Sequence, residues 1–131
     1  MSLIQIVQHY EPEGMWLVSV HEGPTCEILV AGNACGPEPH RFAMLECFAP
    51  KLGEIDRQAQ DYLDTFLDRS RFANGEAWHL DSIELGRDAT SPVFEIVLRY
   101  TVGGYVYGDW TVVLHGVGSR TVAMAFTRQE L

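Results

Sequence analysis

Basic residues are scarce in this chain of 131 residues, and residues 1–40 contain neither lysine nor arginine. Lys51 is the only lysine, the other eight basic residues are arginines, and 18 Asp and Glu give a formal net charge of −9. Because an acidic surface repels nucleic-acid backbones and anionic lipids, we expect neither a nucleic acid nor a membrane as a partner. The same charge is compatible with a basic protein partner.

Cysteine and long apolar runs are scarce as well. No apolar run approaches the ~18 residues that a membrane-spanning helix needs. The three cysteines, Cys26, Cys35 and Cys47, are odd in number and have no framework spacing, which favours reduced thiols and predicts a cytoplasmic protein. A chain of this length with 47% apolar residues is expected to form a single domain, residues 1–131, that needs no disulfide or metal for stability.

The sequence also lacks the spacings of common metal and catalytic sites. Histidines and cysteines at positions 21, 26, 35, 40 and 47 are zinc-ligand types, but they form neither CxxC nor HxxxH. Gly-x-Ser-x-Gly is absent, and the glycine-rich residues 116–119 lie in a hairpin pattern rather than before a helix. We therefore expect no metal, no cofactor and no catalytic residue, and a binding protein rather than an enzyme.

What the sequence does contain is a period of two over its last forty residues. The apolar side chains of this segment fall on even positions: Phe94, Ile96, Leu98, Tyr100, Val102, Val106, Trp110, Val112, Leu114, Val122, Met124 and Phe126. Because strand side chains alternate between faces, this pattern predicts a three-stranded antiparallel meander with one buried face.

The same parity restricts the two turns of the meander. Even-numbered residues share a face only if paired residue numbers have an even sum, which argues against a two-residue turn on Gly103-Gly104. We expect a three- or five-residue loop there, or a bulge at Gly108. The second turn should create three pairs: Leu114 with Val122, Val112 with Met124, and Trp110 with Phe126.

A period of 3.6 residues predicts one long helix over about residues 51–71. Its core-facing side chains are Leu52, Ile55, Ala59, Tyr62, Leu63, Phe66 and Leu67. The opposite side carries four carboxylates, Glu54, Asp61, Asp64 and Asp68, which we call the acidic ridge.

The remaining segments predict further strands. Residues 3–21 have the pattern of a hairpin, residues 26–31 that of a central strand with two apolar faces, and residues 77–85 that of a strand with a bulge near Asp81-Ser82. Arg41 to Phe48 fits a strand or a helix, and we interpret it as a short strand. The chain is therefore expected to be α+β, an antiparallel sheet of about seven strands with the helix on one face.

Two surfaces carry the functional hypotheses. The acidic ridge suits a basic protein partner, as in an inhibitor or immunity-like module, through electrostatic complementarity. The odd-numbered face of the meander combines five polar or aromatic side chains, Arg99, Tyr105, Tyr107, Asp109 and His115. That face is a candidate small-molecule or hydrolytic site, with His115 as its acid–base group, or a surface for homodimerisation as a structural subunit.

Overall fold

The computed structural model describes residues 4–10, 14–21, 26–85, 94–103, 108–117 and 120–129. Within these ranges it has eight strands: β1 Ile4–Tyr10, β2 Met15–Val20, β3 Glu27–Asn33, β4 Gly36–Pro37, β5 His79–Leu85, β6 Phe94–Thr101, β7 Asp109–Val117 and β8 Arg120–Gln129. The helical part comprises α1 Pro39–Phe48, a 3₁₀ turn Ala49–Lys51, α2 Leu52–Phe66 and the short α3 Arg69–Phe72. The predicted α+β class is confirmed.

The strands form one open sheet in the order β1-β2-β3-β5-β6-β7-β8, with β4 paired to β3 at its end. Every neighbouring pair is antiparallel except β3 and β5, which are parallel. This pair departs from the purely antiparallel sheet that we expected. The two strands are parallel because the helical segment between them forms a crossover connection, after which β5 runs in the same direction as β3. The apolar residues 26–31 are confirmed as a central strand.

The helix begins well before its predicted start, and the interpretation of Arg41–Phe48 as a strand is wrong. Glu38 caps α1, since its carboxylate accepts hydrogen bonds from the backbone N–H of His40 at 3.1 Å and of Arg41 at 2.8 Å. Pro39 occupies the first turn, where its missing N–H costs nothing. Arg41, Leu45 and Phe48 form the buried side of α1. An acidic cap followed by proline was the sequence feature that marked this start.

The helical segment runs across one face of the sheet. α1 contacts β3, whereas α2 contacts β7 and β8. The buried side chains of α2 are Leu52, Ile55, Ala59 and Leu63. None of the helices in the described part of the chain has the length and apolar content to cross a membrane.

The period of two is confirmed for β6 and β7, whose even-numbered residues are buried beneath the helices. These are Ile96, Leu98, Tyr100, Val102, Trp110, Val112 and Leu114. Tyr100 pairs with Trp110, so paired numbers do have an even sum, but the strands end at Thr101 and begin at Asp109. Residues 104–107 of the connection, Val106 among them, lie outside the described residues, so the predicted loop length and the alternative bulge at Gly108 stay predictions.

The predicted pairing of the second hairpin is wrong. A bulge in β8 shifts the register, so that Leu114 pairs with Ala123 and Val112 with Phe126. Val122 and Met124 are consequently 49% and 52% exposed instead of buried. Alternation alone does not reveal a bulge, and an edge strand such as β8 tolerates one readily. The bulge predicted near Asp81-Ser82 is confirmed by the register shift in β5.

Replacing Glu38 with alanine tests the α1 cap. We expect the free energy of unfolding at pH 7 to fall by about 1–2 kcal/mol, because the cap and the 3.3 Å ion pair to the buried Arg41 are both lost. Hydrogen bonding from the Arg41 N–H lowers the pKa of the Glu38 carboxyl. Its contribution is therefore present above the unfolded-state pKa and is lost as the pH falls through the folded-state pKa.

Urea unfolding at pH 7 and at stepwise lower pH measures this difference. The gap between wild type and Glu38→Ala should narrow in acid. Glu46→Ala, which removes an exposed carboxylate from the same helix, is the control and should change stability by less than about 0.5 kcal/mol. A gap that stays constant with pH would show that the carboxylate charge does not stabilise the cap.

Candidate binding surface

The acidic ridge is exposed, but two of its four carboxylates are already engaged within the chain. Asp64 accepts hydrogen bonds from Arg69 Nε at 3.0 Å and Nη2 at 3.2 Å, and from Trp78 Nε1 at 2.9 Å. These hydrogen bonds connect the end of α2 to α3 and to the buried Trp78. Its main role in this geometry is structural.

Asp68 is the N-cap of α3. Its carboxylate accepts hydrogen bonds from the hydroxyl and the backbone N–H of Ser70, which lower its pKa, and it lies 3.5 Å from Arg71. Of the ridge, Glu54 and Asp61 are the two whose carboxylates make no ion pair within the described ranges.

The excess negative charge of the protein lies mainly outside the helical segment. Residues 39–76 contain seven Asp and Glu and five Lys and Arg, so their charges nearly balance. Residues 1–38, in contrast, contain five Glu and no basic side chain. Of these five, Glu27 lies in β3 and Glu38 caps α1, whereas the other three lie outside the described residues.

The sheet surface that faces away from the helices is the second predicted surface, and we call it the open face. No helix in the described part of the chain packs on it. A row of register neighbours crosses it through six strands: Leu17, Leu29, Glu84, Val97, Val113 and Ala125. We call the five uncharged members the apolar row. All of the row is half-buried except the exposed Ala125.

A polar row runs beside the apolar row, two residues along the strands. It consists of Glu27, Ser82, Arg99, Thr111 and Thr127 in register. Arg99 is half-buried, and so is Glu84 one strand away. Neither side chain forms an ion pair with another described residue. The centre of the open face thus carries one positively and one negatively charged side chain, and neither makes an ion pair with another described residue.

The predicted residues of the meander share the open face but do not converge on one site. His115 Nε2 lies 3.7 Å from Glu95 Oε1, its cross-strand neighbour. Arg99 is opposite Thr111, and Asp109 is six residues from His115, ~20 Å along β7. Tyr105 and Tyr107 lie outside the described residues. A small-molecule site on this face stays a prediction.

A polar cluster beneath α2 was not predicted. Asp56 accepts hydrogen bonds from Tyr100 Oη at 2.7 Å and from Gln60 Nε2 at 3.0 Å. Burial, then hydrogen bonding to Asp56, raises the pKa of Tyr100, and burial with the nearby Asp56 charge raises the pKa of the Cys26 thiol to about 11. Both groups are therefore protonated at neutral pH, and little of Cys26 is in the thiolate form. The sequence clue was the position of Asp56 at the edge of the apolar side of the helix.

Two cavities in the described part of the chain are lined by side chains that already bind one another. One of about 470 Å³ lies between the β3–β4 hairpin and α1, where the carboxylate of Glu38 is already bound by the helix N-terminus and Arg41. Another of about 270 Å³ separates α2 from β8, which Gln58 and Thr121 bridge with two hydrogen bonds. The described residues include no group of three or more His, Cys, Asp or Glu placed to hold a metal ion.

No protein-family model, no curated protein and no solved structure matches this chain. Arguments about its function therefore rest on its own residues.

Replacing Asp64 with alanine tests whether this ridge residue is structural. We expect the free energy of unfolding to fall by about 1–3 kcal/mol, because the buried Trp78 loses the acceptor of its indole N–H. Asp61→Ala, on the same exposed side, should change it by less than about 0.5 kcal/mol. Thermal and urea unfolding measure both, and equal effects of the two substitutions would contradict the assignment.

Thiol labelling at pH 8 tests the environment of the cysteines. Cys35 and Cys47 are exposed, whereas Cys26 is half-buried with a pKa raised to about 11. Because the thiolate is the reactive form, a thiol reagent should modify two equivalents rapidly and the third only slowly or after unfolding. Peptide mapping of the early product should identify Cys35 and Cys47; rapid modification of Cys26 would be inconsistent with this packing.

Proposed function

We propose that this chain is a non-enzymatic binding protein that holds a protein partner on the open face of its sheet. The observation that carries the proposal is the apolar row, whose five members lie on five strands and are interrupted by Glu84 of β5, on a surface that no described helix covers. An antiparallel sheet that simply faces water alternates apolar and polar faces cleanly, so apolar neighbours on the second face are better explained by contact with a partner.

The charges on the open face define the chemistry of that partner. Glu84 interrupts the apolar row at its centre and Arg99 lies beside it, and neither side chain makes an ion pair with another described residue. Protein interfaces combine an apolar centre with arginine and a small number of complementary charges. The partner should therefore present an apolar surface with an acidic and a basic side chain near its middle.

The edges of the sheet are poorer candidates for the contact. β1 and β8 each contain a bulge, at Val7 and at Met124, and these bulged residues are 57% and 52% exposed. Bulges twist an edge strand and interrupt its row of free hydrogen-bonding groups, which is a common protection against strand addition. The exposed apolar residues of the edges thus do not make them docking sites.

A basic protein partner remains the second candidate. Residues 1–40 contain no lysine or arginine, and Glu27 of this segment lies on the open face. Electrostatic attraction would then accelerate the approach of a basic partner to the half of the sheet that contains β1, β2 and β3. In that case binding should weaken steeply as salt concentration rises, whereas binding through the apolar row should be nearly independent of salt.

The proposal is tested with three variants of the immobilised protein, exposed to a lysate of its source cells. Val97→Asp places a charge in the apolar row, and Val7→Asp, which places the same charge on an exposed valine at the bulge of the edge strand β1, is the control. Glu54→Lys/Asp61→Lys reverses the unpaired charges of the ridge. We expect wild type, the Val7 variant and the ridge variant to retain the same protein, and the Val97 variant to lose it. Native mass spectrometry identifies what is bound.

Two results would overturn the proposal. Loss of the bound protein in the ridge variant with retention in Val97→Asp would move the contact to the helix surface. A wild-type chain that binds no lysate protein and stays monomeric would argue against binding through the open face altogether. Equal thermal stability of wild type and Val97→Asp is required for either comparison.

A further inference from the structure

We infer that the partner on the open face is a second copy of this chain, stacked face to face; this inference rests on the proposed function above. In a symmetric dimer the same patch lies on both sides of the contact, so each patch must be complementary to itself. The open face fulfils this condition because its central charges are one Arg99 and one Glu84, both without an ion pair among the described residues.

The register of the sheet fixes how the two charges meet. Ser82 pairs with Arg99 and Glu84 with Val97, so Glu84 is one strand across and two residues along from Arg99. A twofold axis between the stacked faces, perpendicular to the line joining these two residues, places each Arg99 over Glu84 of the other copy. The strands of the two sheets then cross at a steep angle, as in orthogonally packed sheets. Two identical ion pairs result.

The remaining contacts of this arrangement are apolar. The axis passes beside Val97, the central valine of the apolar row, so the apolar rows of the two copies cross near their middles. Six strands and three rows of side chains form a patch of roughly 30 Å by 20 Å, and two such patches that cross at a steep angle overlap over about 20 Å by 20 Å, or ~400 Å² per copy. The ~800 Å² buried in total is below the area of a standard interface, so we expect a weak dimer.

The charges of Arg99 and Glu84 also disfavour a dimer in which the strands of the two copies are parallel. A twofold axis parallel to the strands between β5 and β6 would place Arg99 over Ser82 and Glu84 over Val97 of the other copy, leaving both charges unmatched. Covering a charge without a partner is costly. The diagonal arrangement is therefore favoured over stacking with parallel strands.

Sedimentation equilibrium of a charge-swap set tests this inference. In the Arg99→Glu dimer, both contacts between positions 99 and 84 bring two carboxylates together. In the Glu84→Arg dimer, both contacts bring two guanidinium groups together. Each single variant should dissociate with a constant at least about tenfold higher than wild type, because two attractions become two repulsions. The double variant Arg99→Glu/Glu84→Arg has the net charge of wild type and should recover its dissociation constant.

A mixture of the two single variants gives the sharpest result. Each variant repels itself, but a heterodimer of Arg99→Glu with Glu84→Arg forms two attractive pairs. We expect native mass spectrometry of the mixture to show heterodimer in excess of either homodimer. A general effect of surface charge or of misfolding would not produce this preference, and circular dichroism of each variant checks the fold.

The outcomes separate this inference from the proposed function. A monomeric wild type at ~100 μM overturns the dimer, and so does a dimer whose dissociation constant is unchanged in both single variants. If such a monomer still captures a different protein that Val97→Asp does not capture, the open face binds and only the identity of its partner is wrong. If it captures none, both proposals fail.

Discussion

The crossover between β3 and β5 is the constraint on which the rest of the structure depends. The chain leaves the sheet at the end of β3, forms α1 and α2, and returns at β5 beside the strand that it left. α1 contacts β3 and α2 contacts β7 and β8, so the helical segment crosses half of the sheet diagonally before it returns. All helical cover in the described ranges is thereby placed on one face. β1 lies at the border of this cover, since Ile4 is buried in the core whereas Ile6 is 48% exposed although its neighbour Val18 is buried.

Polar contacts fix the position of α2 more specifically than its apolar side chains. Asp56 binds Tyr100 of β6, Gln58 exchanges two hydrogen bonds with Thr121 of β8, and Asp64 binds Trp78 just before β5. Apolar side chains allow a helix to slide or rotate by small amounts at low cost, whereas hydrogen bonds from three positions along the helix specify one arrangement. The same contacts withdraw Asp56 and Asp64 from any external ligand. The carboxylates of Asp56 and Asp64 therefore stabilise the position of α2 on the sheet.

Periodicity revealed those parts of this fold in which local pattern and tertiary environment agree. β6 and β7 are central strands with one face buried, so their alternation is unbroken and their even-numbered residues were identified correctly. β8 shows the same alternation but is an edge strand, where a bulge at Met124 costs little and reverses the faces. α1 was missed because its apolar residues follow both periods, and its decisive feature, the Glu38 cap, is a local hydrogen-bonding arrangement. The parallel pairing of β3 with β5 depends on long-range topology, which periodicity does not contain.

The same distinction separates the two candidate surfaces. The acidic ridge is conspicuous in a helical projection, yet a helix must have a polar side whether or not it binds anything, and here Arg69, Arg71 and Ser70 already engage half of it. The apolar row has no such alternative origin, because a solvent-facing sheet surface has no structural need for Leu29, Val97 and Val113 in register. Its residues are also distributed over five strands, so their alignment is visible only once the sheet order is known. The apolar row forms only in the complete fold, and the fold does not require it. Such a surface is a better indicator of binding than the polar side of a helix. Arg99 and Glu84 lie at its centre, so a partner without matching charges would leave both of them buried and unpaired.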